Sequence, residues 1–383
     1  LDAGGRPLLA HLLDRFPRDA RFVFIARHDH LADGLRATLT ELCPRGVIVG
    51  IAPHKLGPVH AVLAAEDALH HAPPTIVNYC DFSFSWDVGH FQEWTRHGHT
   101  DAAIVTYRGG RHPHFRRDRR YATCRTDPFG RVLEVREKDS FTDDPSSEPT
   151  SSGTYWFRSG QLMLDACRLH ASRGRTIAGE HYLSLVMDDL VQDGHVARVY
   201  EIDTFLQWGT PEDLDDWRYW HGAFAALEAA GPTPGGAAQP HDTLLMPMAG
   251  LGSRFSDVAV PKPLVPIQGV PMFALANHLL PQVGRRLLVI LDPHEDATED
   301  ALPFLPPGHT ELLTLETPTD GQAATCAAAS DRLRALPDGP LWISSCDHGL
   351  VLPADALEHL NRSGCDAAVI GTRGLPDARR TPT

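Results

Sequence analysis

The chain has 383 residues, a formal net charge of −14 and a sequence pI near 5.8. This length is enough for two domains that each have a core of their own. The acidic balance argues against a nucleic-acid scaffold and against a protein of the membrane surface, so an anionic substrate would need local clusters of Lys and Arg. The seven cysteines contain no CxxC pair and no apolar run has the length of a membrane span, which predicts a cytoplasmic protein without a membrane partner.

The first hundred residues alternate short apolar runs with helical patterns. We predict buried strands at Arg21–Ala26, Gly46–Ile51, Thr75–Tyr79 and Ala102–Tyr107. We predict helices between them at Leu31–Leu42, Val59–His71 and Gly89–His97. Such alternation is typical of a mostly parallel sheet that helices cover on both faces, so the predicted fold class is α/β.

After Arg108 the pattern changes to shorter strands separated by polar turns. These strands are expected at Tyr121–Arg125, Val132–Arg136 and Thr154–Phe157, as in an antiparallel insertion. Helical patterns return at Gln161–Ser172, at His181–Gln192 and from Thr210 to about Ala230. The composition of Gly231–Pro240 is that of a linker.

The remaining chain repeats the order of strand, loop and helix. The predicted elements are Leu244–Met248, Met272–Leu280, Arg286–Leu291, Gln322–Leu336, Leu341–Ser345 and, matching Ala102–Tyr107, the run Ala367–Gly371. Four pairs of landmarks recur in the same order. They are Gly5-Arg6-Pro7 and Gly269-Val270-Pro271, Gly57-Pro58 and Gly321-Gln322, Cys80-Asp81 and Cys346-Asp347, and Asp101-Ala102-Ala103 through Arg108-Gly109 and Asp366-Ala367-Ala368 through Arg373-Gly374. An internal repeat of this size predicts two copies of one domain, at 1–230 and 242–383, joined by a linker at 231–241.

Each copy lacks landmarks that the other has. Copy one has no glycine loop before Asp2, and copy two has nothing that matches residues 110–230. We expect the sequence to be a fragment of a longer tandem protein, cut inside both copies. The alternative is a natural permutation in which the loop of copy two serves copy one.

The second copy opens with a glycine-rich turn that fits a phosphate group. The sequence MAGLGSRF at Met248–Phe255 follows an apolar run, and PKPL follows at Pro261–Leu264. Gly250 and Gly252 let the backbone N–H groups approach a phosphate closely. Arg254 can place its guanidinium on a triphosphate, and Lys262 adds a point charge.

Asp81 and Asp347 each follow a predicted strand, in the sequences NYCDF and SSCDH. The carboxyl ends of parallel strands are where ligands bind in open α/β sheets. A carboxylate at that place can hold Mg²⁺ against phosphate oxygens, although an Asp at the end of a strand is also a common helix cap. Its occurrence in both copies favours the metal ligand.

Three further groups of residues in copy one can contact an anionic or hydroxylated substrate. Lys138 can neutralise a phosphate and Glu137 can accept sugar hydroxyls, or the two form a solvated surface pair. Gly153, in Ser152–Tyr155, lets a backbone pack close to a ligand, or it only begins a strand. The basic loop around His112-Pro113-His114 is a lip for an anion or a solvated loop.

These motifs together resemble the sugar-phosphate nucleotidyltransferases, the NDP-sugar pyrophosphorylases. MAGLGSRF with PKPL resembles their signature, and Asp81, Glu137-Lys138, Ser152–Tyr155 and Gln207–Asp213 resemble their later landmarks in the same order. The resemblance implies Rossmann-like, GT-A-like domains in two copies. It also implies a reaction in which a sugar 1-phosphate attacks the α-phosphorus of an NTP, with Mg²⁺, to give an NDP-sugar and pyrophosphate, plausibly for a surface polysaccharide.

The resemblance also implies roles for single residues. In copy two it places Gly250, Gly252, Ser253, Arg254 and Lys262 at the triphosphate, Gly321 and Gln322 at the base, and Asp347 at the metal. In copy one it places Gly57 at the base, Asp81 at the metal, Lys138 at the substrate phosphate, and Glu137 and Gly153 at the sugar. The catalytic residues would be Arg254, Lys262 and Lys138.

Three features depart from the family pattern: Gln207, Pro58 where copy two has Gln322, and the strand-end sequences CDF and CDH in place of the commoner GD. Gln207 stands where the family usually has an Asp that is a second ligand of the metal, and a neutral amide is a poor ligand for Mg²⁺. The alternatives are a cytidylyltransferase for a non-sugar phosphate or phosphonate, a GT-A glycosyltransferase, and a catalytically degenerate regulatory copy. The expected partners are NTP and a sugar 1-phosphate, with no nucleic acid, and a homo-oligomer is left open.

Overall fold

The computed structural model describes residues 2–109, 121–230, 239–255, 258–350, 352 and 356–371. These residues form two compact units, unit 1 up to residue 219 and unit 2 from residue 220 onward. The predicted α/β class with mostly parallel sheets is confirmed. The predicted linker at 231–241 stays a prediction for residues 231–238, which lie outside the described ranges, whereas residues 239–241 belong to a strand that begins at Gln239.

The elements of unit 1 follow one another as strands and short helices. The strands are β1 (Asp2–Ala3), β2 (Arg6–Pro7), β3 (Val23–Arg27), β4 (Val47–Ile51), β5 (Thr75–Asn78), β6 (Phe82–Ser85), β7 (Ala102–Tyr107), β8 (Thr123–Thr126), β9 (Val132–Arg136), β10 (Thr150–Phe157), β11 (Ala197–Glu201) and β12 (Thr204–Gln207). The helices are α1 (Leu8–Leu13), α2 (His28–His30), α3 (Arg36–Leu42), α4 (Pro58–Ala64), α5 (Glu66–Leu69), α6 (Val88–His97), α7 (Gly160–Arg173), α8 (Leu183–Gln192) and α9 (Pro211–Ala230).

The main sheet of unit 1 is mixed, with β10 at its centre. β10 runs antiparallel to both β5 and β7, β11 is parallel to β7, and β8 and β9 extend the sheet beside β10. β10 is four residues longer at its start than the predicted strand Thr154–Phe157, and it belongs to the main sheet as well as to the antiparallel insertion. β3 and β4 form a separate parallel pair.

Two predicted helices of unit 1 are interrupted. The segment Leu31–Leu42 contains a π-helical turn, Leu31–Leu35, in which Asp33 and Gly34 leave helical geometry and Gly34 takes φ of +99°. The segment Val59–His71 divides into α4 and α5 at Ala65. Apolar periodicity continues across both breaks, so the pattern predicted one long helix in each place.

Unit 1 has a core on each face of its sheet. One cluster contains the fully buried Ile104, Phe157, Met163 and Met187, where α7 and α8 cover the sheet. The other cluster is aromatic and contains Phe84, Phe91 and Tyr107, with Tyr107 stacked on Phe205 at 4.2 Å between ring centroids. The core therefore fixes β7 and β10 from both sides, as expected of a buried sheet.

Unit 2 contains a sheet of four parallel strands. The strands of unit 2 are β13 (Gln239–Pro247), β14 (Pro266–Ile267), β15 (Val270–Pro271), β16 (Val283–Leu291), β17 (His309–Leu315) and β18 (Leu341–Ile343). The helices of unit 2 are α10 (Met272–His278), α11 (Glu295–Ala301), α12 (Gln322–Ala328), α13 (Ser330–Arg334) and α14 (Ala356–Ser363). The sheet order is β17-β16-β13-β18, and β14 and β15 form a separate hairpin. Leu244, Met246, Phe273 and Leu288 form its core with exposed fractions of 0–2%.

The predicted strand Ala367–Gly371 is wrong. These residues form no regular element, and Val369 is 97% exposed. Its counterpart in unit 1, β7, is held by ladders to β10 and β11. In the described part of unit 2, no strand takes the place of β10 or of β11 beside residues 367–371. An apolar run without ladder partners gains nothing from an extended conformation.

None of the helices in the described ranges is both long and apolar enough to cross a membrane. All seven cysteines lie within those ranges, and each is a free thiol.

Candidate functional site

The glycine loop of unit 2 begins where β13 ends, at the carboxyl edge of the parallel sheet. Gly252 has φ of +59°, and Phe255 N–H donates to the Gly252 carbonyl over 2.7 Å, which closes the short helical turn Ser253–Phe255. A Cβ added at Gly252 would lie 3.1 Å from Cβ of Lys262. Gly252 is therefore needed both for the turn and for the close approach of Lys262.

Lys262 connects the glycine loop with the end of β18. It lies in the turn Lys262–Leu264, and its ammonium group forms an ion pair with the carboxylate of Asp347. The same ammonium lies 5.8 Å from the centroid of the Phe255 ring. Lys262 is thus held at the loop by a charge and by an aromatic face.

Asp347 follows β18 and is ionised over most of the pH range. Partial burial alone would raise its pKa, but hydrogen bonds from Lys262 and from Ser345 outweigh burial and lower the pKa to about 2. The Ser345 hydroxyl donates to Asp347 Oδ1 over 2.7 Å. The carboxylate is therefore a fixed negative charge beside a fixed ammonium group.

Gly321 and Gln322 begin helix α12 on another side of the same cavity. Gly321 caps the helix with φ of +106° and ψ of 175°, a conformation that is essentially restricted to glycine. Thr325 N–H donates to the Gly321 carbonyl over 3.1 Å, so the turn is fixed by the first bond of the helix.

These segments surround one cavity of about 460 Å³. Its wall includes five of the residues predicted for copy two in addition to Lys262 and Asp347: Gly250, Gly252, Ser253, Gly321 and Gln322. The structure thus brings together residues that are up to 97 positions apart, from Gly250 to Asp347. The side chain of Arg254 lies outside the described part of the chain, so its predicted role stays a prediction.

The donor set of this cavity fits Mg²⁺ only together with a phosphate ligand. No group of three His, Cys, Asp or Glu residues in the described ranges could hold a metal ion alone. Mg²⁺ commonly uses one or two carboxylates, and it completes its shell with water and substrate phosphates. Asp347 provides one such carboxylate at the cavity wall, which is sufficient for a metal that arrives with a triphosphate.

In unit 1, Glu137 and Lys138 belong to a connected set of polar side chains. Lys138 Nζ donates to the Tyr182 hydroxyl over 2.6 Å, and that hydroxyl donates to Glu180. The hydroxyl of Ser184 donates to Glu137. The bond to Tyr182 raises the pKa of Lys138, and burial raises the pKa of Glu137.

The segment 180–184 is the part of this set that sequence reasoning missed. The pattern predicted a helix from His181, but α8 begins at Leu183, and the extended residues before it point Glu180 and Tyr182 toward Lys138. Lys138 itself has φ of +54°, which is unusual for a residue with a side chain. The acidic and aromatic residues just before the apolar helix were the available signal.

The other predicted residues of unit 1 lie at turns next to the same elements. A Cβ at Gly57 would lie 2.6 Å from the backbone of His181, and one at Gly153 would lie 2.9 Å from the rings of Tyr79 and Phe82. Gly153 has φ of +88°, in the register shift between Ser151 and Thr154 along the β10–β7 ladder. Both glycines are thus required by close packing.

Asp81 lies three residues after β5, on the wall of a large cavity of unit 1. The side chain of Asp81 is accessible from this cavity. The surrounding protein removes much of the water near its carboxyl group, and this desolvation raises the pKa of that group. Trp208 N–H donates to the Asp81 carbonyl over 2.8 Å, which fixes segment 207–209 beside it.

Gln207 is bonded to another residue of unit 1. Its amide donates to Asp213 Oδ2 over 2.8 Å, and both side chains are buried. A carboxylate at position 207 would therefore face the carboxylate of Asp213. The basic loop around His112 lies outside the described residues.

The comparison with protein families finds one domain match, in the second half of the chain. Residues 246–377 match the MobA-like NTP transferase domain. The comparison with curated proteins finds no match.

Several solved structures, among them two of pyrophosphorylases, are similar to the chain. They include the nucleoside-diphosphate-sugar pyrophosphorylase of Vibrio cholerae RC9, with 20% identity, a TM-score of 0.47 and coverage of 57% of this chain and 90% of that one. HddC of Yersinia pseudotuberculosis complexed with GMP-PN has 20% identity, a TM-score of 0.40 and coverage of 58% and 88%. A UDP-glucose pyrophosphorylase complexed with UDP-glucose has 12% identity, a TM-score of 0.41 and coverage of 53% and 80%.

At these TM-scores the structural likeness does not define the activity of this chain, and the support for a nucleotidyltransferase rests on the sequence match. That match includes the end of β13, the glycine loop, Lys262, Gly321 and Asp347, which together form the 460 Å³ cavity. The match to the MobA-like NTP transferase domain covers residues 246–377, less than half of the chain, and it supports a nucleotidyltransferase.

Proposed function

We propose that the cavity of unit 2 binds an NTP with Mg²⁺ and that the protein transfers the nucleotidyl group to a sugar 1-phosphate. The observation that carries this proposal is the convergence of the glycine loop, Lys262, Gly321-Gln322 and Asp347 on one cavity. A role in the synthesis of a surface polysaccharide follows from the same resemblance and stays a prediction.

Each part of the cavity would have its own task. The N–H groups of Gly250 to Ser253 would donate to the triphosphate, and Lys262 would neutralise part of its charge. Gly321, which has no Cβ, leaves room at the start of α12 for the base, and the Gln322 amide can both donate to it and accept from it. Arg254 is proposed as a second cation from its place in the loop.

The reaction requires that the two substrates are positioned for in-line attack and that the charge of the phosphates is neutralised. An oxygen of the acceptor phosphate forms a bond to the α-phosphorus, the bond from that phosphorus to the β-phosphate bridging oxygen breaks, and the electron pair leaves with pyrophosphate. A phosphate monoester is mostly dianionic at neutral pH, so the attacking oxygen needs no base. Mg²⁺, when bound at Asp347, would neutralise phosphate charge, and Lys262 would hold the leaving group in line.

Unit 1 has the features of a site for a phosphorylated sugar. Lys138 offers an ammonium group at an exposed position, and Glu137 and Glu180 offer carboxylates for hydroxyl groups. We propose Lys138 for the acceptor phosphate, Glu137 and Gly153 for the sugar, Gly57 for a base and Asp81 for a metal, on the family pattern.

The test is pyrophosphate release from each of the four NTPs with a panel of sugar 1-phosphates. Activity with CTP and a non-sugar phosphate or phosphonate, and with no sugar phosphate, would favour the cytidylyltransferase instead. The variant Asp347→Asn keeps the shape of the side chain and removes its charge, and should abolish Mg²⁺-dependent NTP binding in calorimetry.

The matched control is Asp292→Asn. Asp292 also follows a strand directly, β16, but it does not lie on the wall of the 460 Å³ cavity. If both variants bind Mg²⁺ and NTP like the unchanged protein, Asp347 is not the metal ligand and the proposed site is wrong.

A further inference from the structure

The turn that follows β18 brings two further polar side chains to the wall of the unit 2 cavity. Cys346 and Asp347 form the turn, so Ser345 before it and His348 after it lie side by side. Both line the 460 Å³ cavity together with Asp347. The imidazole of His348 is thus a second potential metal ligand directly beside the carboxylate of Asp347.

Three donor atoms of this turn contact one another. His348 Nδ1 lies 3.0 Å from Asp347 Oδ1, and Ser345 Oγ lies 2.7 Å from the same oxygen. Ser345 Oγ also contacts His348 Nδ1. The serine hydroxyl therefore holds the carboxylate oxygen and the imidazole nitrogen at a fixed separation.

The separation of 3.0 Å between Asp347 Oδ1 and His348 Nδ1 suits two neighbouring ligands of one octahedral ion. Ligands at about 2.0–2.1 Å from an octahedral ion lie about 2.9 Å apart, whereas the ligands of tetrahedral Zn²⁺ lie about 3.3 Å apart. A neutral imidazole can bind an ion through Nδ1 while Nε2 carries the proton. The geometry thus fits an octahedral ion that takes one oxygen and one nitrogen from the protein.

Lys262 does not occupy the Oδ1 side of Asp347. Its ammonium group pairs with the other carboxylate oxygen, Asp347 Oδ2, so Oδ1 can bind a cation without breaking the ion pair. The remaining positions of the ion would be filled by water and by phosphate oxygens, as is usual for an ion that arrives with a triphosphate. The negative charge of the triphosphate would also offset the repulsion between the ammonium group and the ion.

Packing on both sides fixes the turn. Cys346 is 6% exposed in the core of unit 2. A Cβ added at Gly349 would overlap with the side chain of Leu279, so the chain after His348 passes close to the end of α10. An ion would therefore meet two donors that the fold already holds in place.

Unit 1 indicates that the fold does not require a donor at this place. The pair Cys80-Asp81 matches Cys346-Asp347, and the residue after it in unit 1 is Phe82. Phe82 is 3% exposed in the aromatic core cluster, whereas the side chain of His348 is 70% exposed. The histidine of unit 2 thus serves the cavity and not the core.

We propose that His348 is a second protein ligand of the metal at Asp347, and that this pair makes the cavity select Mn²⁺ over Mg²⁺. The proposal rests on the metal-dependent NTP binding proposed for this cavity and adds which ion it takes. Mg²⁺ prefers oxygen ligands, and first-row transition ions bind a mixed nitrogen and oxygen site more tightly. Side chains that only orient a metal ligand already contribute about 10- to 100-fold to metal affinity, so a direct ligand should contribute at least about tenfold.

The experiment titrates Mn²⁺ into the full chain with inorganic tripolyphosphate, measures free Mn²⁺ by electron paramagnetic resonance, and measures Mg²⁺ binding by competition. We expect bound Mn²⁺ to show the magnetic coupling of an imidazole ¹⁴N nucleus in electron spin echo envelope modulation. His348→Asn should abolish this coupling, lower Mn²⁺ affinity at least about tenfold and change Mg²⁺ affinity less than about threefold. His359→Asn, at an exposed position of α14, is the matched control and should change none of these.

Asp347→Asn separates this inference from the proposed function. If it abolishes metal binding while His348→Asn leaves the ¹⁴N coupling and the Mn²⁺ preference unchanged, Asp347 is the metal ligand and only the inference is overturned. The inference is also overturned if bound Mn²⁺ shows no ¹⁴N coupling and His348→Asn weakens tripolyphosphate binding without metal, because the imidazole then binds phosphate. Unchanged metal binding in Asp347→Asn would overturn the inference together with the proposed site.

Discussion

At the scale of single residues, the contact between Lys262 and Asp347 determines the charge of the unit 2 cavity. The variant Lys262→Met removes the ammonium group and keeps most of the side-chain length. We expect the pKa of Asp347 to rise from about 2 toward the ordinary value, because its strongest ionic partner is lost. Carboxyl-carbon NMR titration would measure the change, and Lys55→Met, in an exposed loop of unit 1, is the control.

The same contact predicts how stability depends on pH. The folded-state pKa of Asp347 lies below that of an unfolded chain, about 3.9, so the contact stabilises unit 2 above about pH 4 and its contribution is lost as pH falls toward 2. Lys262→Met should therefore lose less stability than the unchanged protein between pH 4 and pH 2. Urea titrations at these pH values measure the free energy of unfolding. If it falls equally in Lys262→Met and in the unchanged protein, Lys262 is not the partner that lowers the pKa of Asp347.

Gln207 gives a second prediction at this scale, in unit 1. The variant Gln207→Glu preserves the shape of the side chain but replaces the donor to Asp213 by an acceptor, and both groups are buried. We expect a loss of about 1–3 kcal/mol of unfolding free energy at neutral pH, since a buried carboxylate loses a donor and gains a like charge. The penalty should shrink in acid, where one carboxyl group is protonated.

Gln161→Glu is the matched control for Gln207→Glu. Gln161 donates to Asp165 in the same chemical arrangement, but the pair is exposed on α7. Water screens the new charge there, so the change in unfolding free energy should stay below about 0.5 kcal/mol. Equal losses of unfolding free energy at both sites would mean that burial does not increase the contribution of the bond between Gln207 and Asp213.

At the scale of elements, the two glycines that begin α4 and α12 have the same backbone conformation and different surroundings. Gly57 has φ of +88° and ψ of 176°, and Gly321 has +106° and 175°. An alanine would be strained at both, by about 1–3 kcal/mol. At Gly57 its Cβ would also lie 2.6 Å from the His181 backbone, while at Gly321 no atom of the described residues lies within 4 Å.

We therefore expect Gly57→Ala to destabilise the protein more than Gly321→Ala does. Chemical denaturation of the two variants measures the difference, and each reports on its own unit. Gly321→Ala should instead affect nucleotide affinity, because its Cβ would occupy space on the wall of the unit 2 cavity. A larger stability loss for Gly321→Ala would contradict the described packing of Gly57.

The sequence predicted the elements that depend on local pattern and missed those that depend on partners. Strands β7 and β9 have the predicted bounds, because continuous or alternating apolar residues mark them directly. The first half of β10 was missed, because Thr150–Gly153 is polar and is strand only through its ladders to β7 and β8. The run Ala367–Gly371 shows the opposite error, an apolar pattern without a ladder.

In the candidate site, too, the residues that belong to local motifs were predictable, and the contacts between distant residues were not. The glycine loop, Lys262, Gly321 and Asp347 belong to motifs, and the structure brings them to one cavity. The ion pair between Lys262 and Asp347 was not predictable, because it joins side chains 85 residues apart. Glu180 and Tyr182 were missed for the same reason, since only the fold places them beside Lys138.

At the scale of the whole molecule, the two units differ in what they can offer a nucleotide. Unit 2 combines a glycine loop with a carboxylate, whereas the described part of unit 1 has Asp81 beside a cleft and no such loop. We expect one NTP to bind per chain in the presence of Mg²⁺, with a stoichiometry near one in calorimetry. Hydrogen exchange should slow in residues 248–255, 321–325 and 345–348, because the ligand covers these backbone groups.

Unit 1 provides the internal control for this stoichiometry. Segments 57–62 and 79–82 occupy the matching places there. The described part of unit 1 has no glycine loop to hold a triphosphate, so NTP alone should not engage the base and metal roles proposed for Gly57 and Asp81, and both segments should exchange at the same rate with and without NTP. Lys262→Met should lower the affinity about 10- to 150-fold, because one charge-assisted contact contributes about 1.5–3 kcal/mol. Two equivalent NTP sites per chain, or protection of 79–82 that survives Lys262→Met, would show that unit 1 binds phosphate without a glycine loop, and the division of roles between the units would be wrong.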